Sequence, residues 1–117
     1  MAYVDGYVIP VPTAKKVAYK KVAKIAAPIF KEHGALKVVE TWGDDVPEGK
    51  LTSFPMAVKC KKDETVVFSW IIWPSKKVRN VGMKKAMADE RFSAMNMPMP
   101  FDGKRMIFGG FDVLLRS

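Results

Sequence analysis

The chain has 117 residues, 49% of them hydrophobic, which suits one domain with an ordinary core and leaves no room for two. Its 20 Lys and Arg outnumber 12 Asp and Glu, giving +8, a field that attracts nucleic acid, anionic lipid or acidic metabolites without selecting one. No stretch approaches the roughly 18 consecutive apolar residues of a membrane span, the start lacks a basic signal-peptide region, and the lone Cys60 excludes an internal disulfide, so a cytoplasmic chain in a reducing compartment is expected.

Tyr3 to Val11, rich in Val, Ile and Tyr, predicts a first strand ending at Pro10 and Pro12. Thr13 offers an N-cap oxygen for a helix to about His33, with Ala18, Val22, Ile25, Ile29 and His33 on one stripe and Gly34 as its left-handed C-cap. Pro28 within that helix predicts a kink, with the carbonyl of Lys24 facing water. Leu36 to Trp42 is a second strand, followed by turn chemistry from Gly43 to Gly49. Phe54 to Val58 reads as a short strand or an irregular connection. Val66 to Trp73 is an almost unbroken apolar strand, which Pro74 ends. Ser75 caps a second helix from Lys76 to about Ala88, and Asp89 restarts a short turn to Met95. Met97-Pro98-Met99-Pro100 resists helix, because each proline disfavours that conformation in the residue before it. Asp102-Gly103 turns the chain into a last strand, Arg105 to Leu114.

The order β-α-β-(β)-β-α-β predicts an α+β, ferredoxin-like sheet with both helices on one face. A sheet with one wet face alternates apolar and polar residues. Here Val66-Val67-Phe68 and Trp70-Ile71-Ile72-Trp73 are apolar on both sides, as is Met106-Ile107-Phe108. The second face therefore needs a partner, which a face-to-face homodimer supplies.

Three strings carry a resemblance: Val38-Val39-Glu40-Thr41-Trp42-Gly43-Asp44-Asp45-Val46-Pro47, Val66-Val67-Phe68-Ser69-Trp70, and Met99-Pro100-Phe101-Asp102-Gly103-Lys104-Arg105-Met106-Ile107-Phe108-Gly109-Gly110-Phe111. From Tyr3-Val4-Asp5-Gly6 to the last strand, the chain resembles the YbaA-like family of small bacterial proteins. The resemblance implies a dimeric α/β barrel and supplies no activity. Its wider superfamily holds monooxygenases, haem-degrading enzymes, isomerases and stress-related proteins, an analogy of scaffold only.

Glu40 lies among apolar strand residues. A carboxylate there is either an acid-base group with a raised pKa or one satisfied at a strand edge near Lys37. Asp5 is a second proton-shuttle candidate. Arg105 could grip an anionic ligand or fix a structural carboxylate. Tyr7, Trp42 and Trp70 are candidates to line a pocket between sheet and helices, with Trp73 a fourth aromatic that core packing explains as well. His33, the only histidine, is read as complementing its helix C-terminus rather than as catalytic, and metal sites built on several histidines are not expected. Met83, Met87, Met95, Met97, Met99 and Met106 suit gap-filling or an adaptable lid better than a thioether copper site.

Lys16, Lys20, Lys24 and Lys31, with Lys15 and Lys21, form a ridge that follows a phosphate backbone or is simply solvated. Ser75-Lys76-Lys77 is a candidate anion site at a helix start. A phosphate-binding Gly loop, a dinucleotide fingerprint and a Gly-x-Ser-x-Gly elbow are absent. Three functions follow: a homodimer binding a small apolar or aromatic molecule, with any chemistry independent of cofactors; a basic module for RNA or another polyanion; or, by default, a structural or stress-associated partner protein.

Overall fold

A computed structural model describes residues 2–94 and 99–117. The sequence reading of Met95, Met97 and Pro98 falls outside them. Strand β1 (Tyr3–Pro12) leads through a 3-10 turn (Thr13–Lys15) into helix α1 (Lys16–Glu32), then β2 (Lys37–Glu40), a short helix α2 (Phe54–Ala57) and β3 (Glu64–Trp73). Helices α3 (Lys76–Met87) and α4 (Glu90–Ala94) precede β4 (Ile107–Asp112). The strands pair antiparallel in the order β2-β3-β1-β4, the ferredoxin-like arrangement with β1 and β3 central. No helix of the described residues is long and apolar enough to cross a membrane.

Pro12 ends β1 as expected, while Pro10 lies inside it. The next backbone amide, Thr13 N–H, donates to Asp63 O at 2.8 Å on the β3 side. Strand alternation then aims the nitrogens of Pro10 and Pro12 at the β4 side. The pairing with β4 stops at Val8, opposite Ile107, so neither proline breaks a ladder bond.

Thr13 does not cap α1: its Oγ1 bonds the hydroxyl of Thr65 at 2.7 Å, and no side chain caps the helix start. At the other end His33 is the C-cap and Gly34 takes φ of 115°, the backbone that a side chain disfavours. Pro28 is within the helix on its exposed side, as is Lys24. The inward face is turned from the expected stripe: Tyr19 and Ile29 are buried and Ala18 is exposed. Phe54–Ala57 is helical rather than extended, because Ser53 Oγ accepts the Met56 amide at 3.1 Å and Pro55 fits a first turn. Ser75 caps α3 as expected, accepting from Val78 N at 3.1 Å.

Odd positions of β1 and β3 face the helices and form two core clusters. Tyr3, Ile71 and Trp73 pack with Ala35 at one end, and Ile9, Val11 and Val67 with Tyr19 at the other. Even positions form the second face. There Phe68 is 45%, Ile107 44% and Phe111 62% exposed, and α2 reaches it through Phe54, whose ring meets that of Phe68 at 5.8 Å. The helices cover one apolar face of the sheet and leave much of the other open.

Candidate functional site

Between the covered face of the sheet and helices α1 and α3 lies a cavity of about 520 Å³. Strand alternation sends Asp5, Tyr7 and Ile9 of β1, Ser69 and Ile71 of β3, and Val38 and Glu40 of β2 into its floor. Helix α1 contributes Tyr19, Val22 and the small Ala23 and Ala26. Helix α3 adds Arg79 and Met83. Met87, Met99 and Met106 complete a wall with Phe30, Phe92, Phe101 and Phe108.

The polar groups form two sets. In the first, the Tyr19 hydroxyl donates to Glu40 Oε1 at 2.6 Å. Burial pushes the Glu40 carboxyl above the usual range, and hydrogen bonds from Tyr19 and Ser69 pull it part of the way back. Much of Glu40's surface is open, but that surface faces the cavity, so its burial is one-sided. Burial also raises the Tyr19 phenol, followed by the negative charge of Glu40. The expected neighbour Lys37 is not its partner: the stabilising group is a phenol, not a cation.

In the second set, Asp5 is buried and fully engaged. It accepts Trp73 Nε1 at 2.9 Å, Arg79 Nε at 3.0 and 3.1 Å, and pairs with Arg79 Nη2 at 3.0 Å. Arg79 also lies 4.9 Å above the ring of Tyr3 and donates to Asn80 Oδ1 at 2.8 Å. These bonds fasten α3 to the sheet centre. Nothing in its lysine-rich helix singles out Arg79, because its role depends on a residue 74 positions away.

Register joins the floor into a row. Glu40 pairs with Ser69, Ser69 with Tyr7, and Tyr7 with Phe108, so one line crosses all four strands. Burial pushes the Tyr7 phenol up to about 12, reinforced by the charge of Asp5 and opposed by Arg79. Its ring stacks with Phe108 at 6.2 Å, and its hydroxyl makes no hydrogen bond among the described residues.

The other sequence candidates lie elsewhere. Trp70 borders the cavity, but its ring packs 5.4 Å from Phe68 on the second face. Trp42 packs against Tyr19 at 6.5 Å, behind the cavity wall, with Lys16 Nζ 5.5 Å from its ring centre. Trp73 is core. Arg105 stands away from the cavity: it holds Glu64 through two contacts of 2.7 Å, Asp102 at 3.1 Å and Lys59 O at 2.9 Å. His33 Nε2 meets Asp89 Oδ2 at 3.0 Å, and Arg91 Nη2 meets the same oxygen at 2.8 Å, tying the end of α1 to the start of α4. Met83, Met87, Met99 and Met106 gather on the cavity, with no cluster of three or more His, Cys, Asp or Glu fit for a metal among the described residues. Lys15, Lys16, Lys20, Lys21, Lys24 and Lys31 are all exposed, and α3 adds exposed Lys76, Lys77, Lys84 and Lys85.

A solved structure of a point mutant of SnoaB, described as a cofactor-independent oxygenase from Streptomyces nogalater, matches with TM-score 0.57, covering 98% of this chain and 95% of that one. At 12% identity this likeness concerns the fold. Proteins named YbaA from Escherichia coli (strain K12) and Shigella flexneri are each 56% identical over 115 residues, 98% of both chains. The model of the family described as "Protein of unknown function (DUF1428)" matches residues 2–103. With that match and this identity along nearly its whole length, the chain belongs to the DUF1428 family, together with the YbaA proteins.

Proposed function

We propose that the chain is one domain that works as a homodimer, each protomer binding a small, largely apolar aromatic molecule between its sheet and helices. Any chemistry there is independent of cofactors, and Glu40 is the group that takes up or returns a proton. The observation that carries this reading is the Tyr19–Glu40 pair, a carboxyl of raised pKa set in a largely apolar, methionine- and phenylalanine-walled cavity. The fold shared with a protein described as a cofactor-independent oxygenase supports the same direction. The dimer is supported by the open second face, where Phe68, Ile107 and Phe111 form an apolar surface of the kind that marks an interface.

A melting panel of quinones, other flat aromatics, small acids, haem, flavins and short RNA tests the ligand. Aromatic compounds should raise the melting temperature of the wild type and not of Met83→Trp, which fills the cavity. No shift with any aromatic compound overturns the reading. Sedimentation tests the assembly: a monomer at micromolar concentration overturns the dimer.

A second reading concerns the outer face of the helices, where α1 with its lead-in turn and α3 together present ten exposed lysines. A surface of that kind follows a polyanion such as RNA. It predicts binding that weakens steeply with salt and falls when Lys20 and Lys24 become Glu. Binding that is absent, or indifferent to salt, removes it.

A further inference from the structure

The floor row contains two groups of opposite hydrogen-bonding character. Glu40 is at one end, an acceptor when ionised. Tyr7 lies two strands away, across Ser69, and its phenol holds its proton until about pH 12. Strands lie about 4.8 Å apart, so the two backbones are separated by on the order of 10 Å. Ser69 between them is buried and engaged with Tyr19 and Glu40. The Tyr7 hydroxyl is left to donate into the cavity.

Charge narrows the ligand further. Arg79, the one cation on the lining among the described residues, is neutralised by Asp5 at 3.0 Å, which leaves an anionic ligand without a counter-charge there. The walls do the same: Phe30, Phe92, Phe101 and Phe108 line the cavity and suit the faces of an aromatic ring.

We infer that the cavity selects an uncharged, planar ring compound with a carbonyl at one end and a weakly acidic hydroxyl at the other. Tyr7 donates to the carbonyl and Glu40 accepts from the hydroxyl. This deepens the ligand reading above and rests on it.

Three fluorescent or absorbing probes test it: umbelliferone, which has both groups; coumarin, which has the carbonyl alone; and N-phenylnaphthylamine, which is apolar and has neither. Titrations use the wild type, Tyr7→Phe and Glu40→Gln. Umbelliferone should bind about tenfold more tightly than coumarin, and Glu40→Gln should remove that preference while leaving coumarin unchanged. Tyr7→Phe should weaken both by about fivefold to tenfold, with N-phenylnaphthylamine unaffected in either variant and so reporting an intact cavity. Equal binding of umbelliferone and coumarin, or indifference to both substitutions, overturns the assignment of the two ends; retained N-phenylnaphthylamine binding then leaves the apolar cavity standing. If none of the three probes binds, the inference and the ligand reading fall together.

Discussion

Tyr19 on α1 and Glu40 at the end of β2 meet at 2.6 Å, and this contact links the first helix to the edge of the sheet. Burial raises the Glu40 pKa, so the folded chain holds that proton more tightly than the unfolded one. Its effect on stability is therefore most favourable at low pH and declines as pH rises from the unfolded carboxylate value through the raised folded one. Glu40→Gln keeps the side-chain shape without the charge. Its melting temperature relative to wild type should rise with pH across that window. A difference that is flat or opposite in sign from pH 4 to 8 contradicts the raised pKa.

Tyr7 makes a matching prediction at the alkaline end. Its folded pKa of about 12 exceeds the ordinary value of 10.0, so the native state holds the proton longer. The stability linked to Tyr7 is complete below pH 10 and lost as pH climbs towards 12. In ultraviolet titration, Tyr7→Phe should remove one late-ionising phenol. Loss of a phenol that ionises near pH 10 contradicts it.

Gly110 of β4 gives the Asp5–Arg79 pair its room. A Cβ there would run into the Tyr3 hydroxyl and Arg79 Nη2. Gly110→Ala should displace the guanidinium and cost about 2 kcal/mol in chemical denaturation. Asp5→Asn should cost a similar amount, about 2 to 3 kcal/mol, because Arg79 loses its counter-charge in a half-buried site. The double variant should cost less than the sum, since both changes strike one interaction. Full additivity disproves the shared mechanism.

Arg105 separates stability from ligand binding. Its side chain is 17% exposed and that of Glu64 only 5%, so Arg105→Met strands the Glu64 carboxylate and should lower the denaturation midpoint. The pairing holds the Glu64 carboxyl below its usual range, so its contribution is present above the unfolded value and lost as pH falls through the folded one. Probe affinity measured well below the melting temperature should not change. A large loss of affinity would bring Arg105 back to the site.

The elements readable from sequence were those written in local chemistry. Ser75 before Lys76 and Gly34 after His33 mark helix ends by themselves, and the apolar run through Trp73 marks a central strand. The ferredoxin-like order followed from their succession, and the apolar open face from the double-sided β3. What escaped was information held between distant positions. Thr13 has the chemistry of a cap, yet Thr65 on the neighbouring strand takes its hydroxyl. Arg79 looks like one more basic residue until register brings Asp5 beneath it. Trp70 was readable in principle, because it shares parity with Phe68 and Ile72 rather than with Ser69 and Trp73.

The two prolines of β1 act on the cavity through what they withhold. Lengthening β4 by one more bonded pair would set Arg105 beside Pro10, which has no hydrogen to offer. The segment before Ile107 is thus refused by the sheet and spared to lean over α1, where Phe101 comes within 6.0 Å of the Tyr19 ring and Met106 reaches the wall. A residue incapable of donating, on a strand that never touches the cavity at that point, decides where its roof begins.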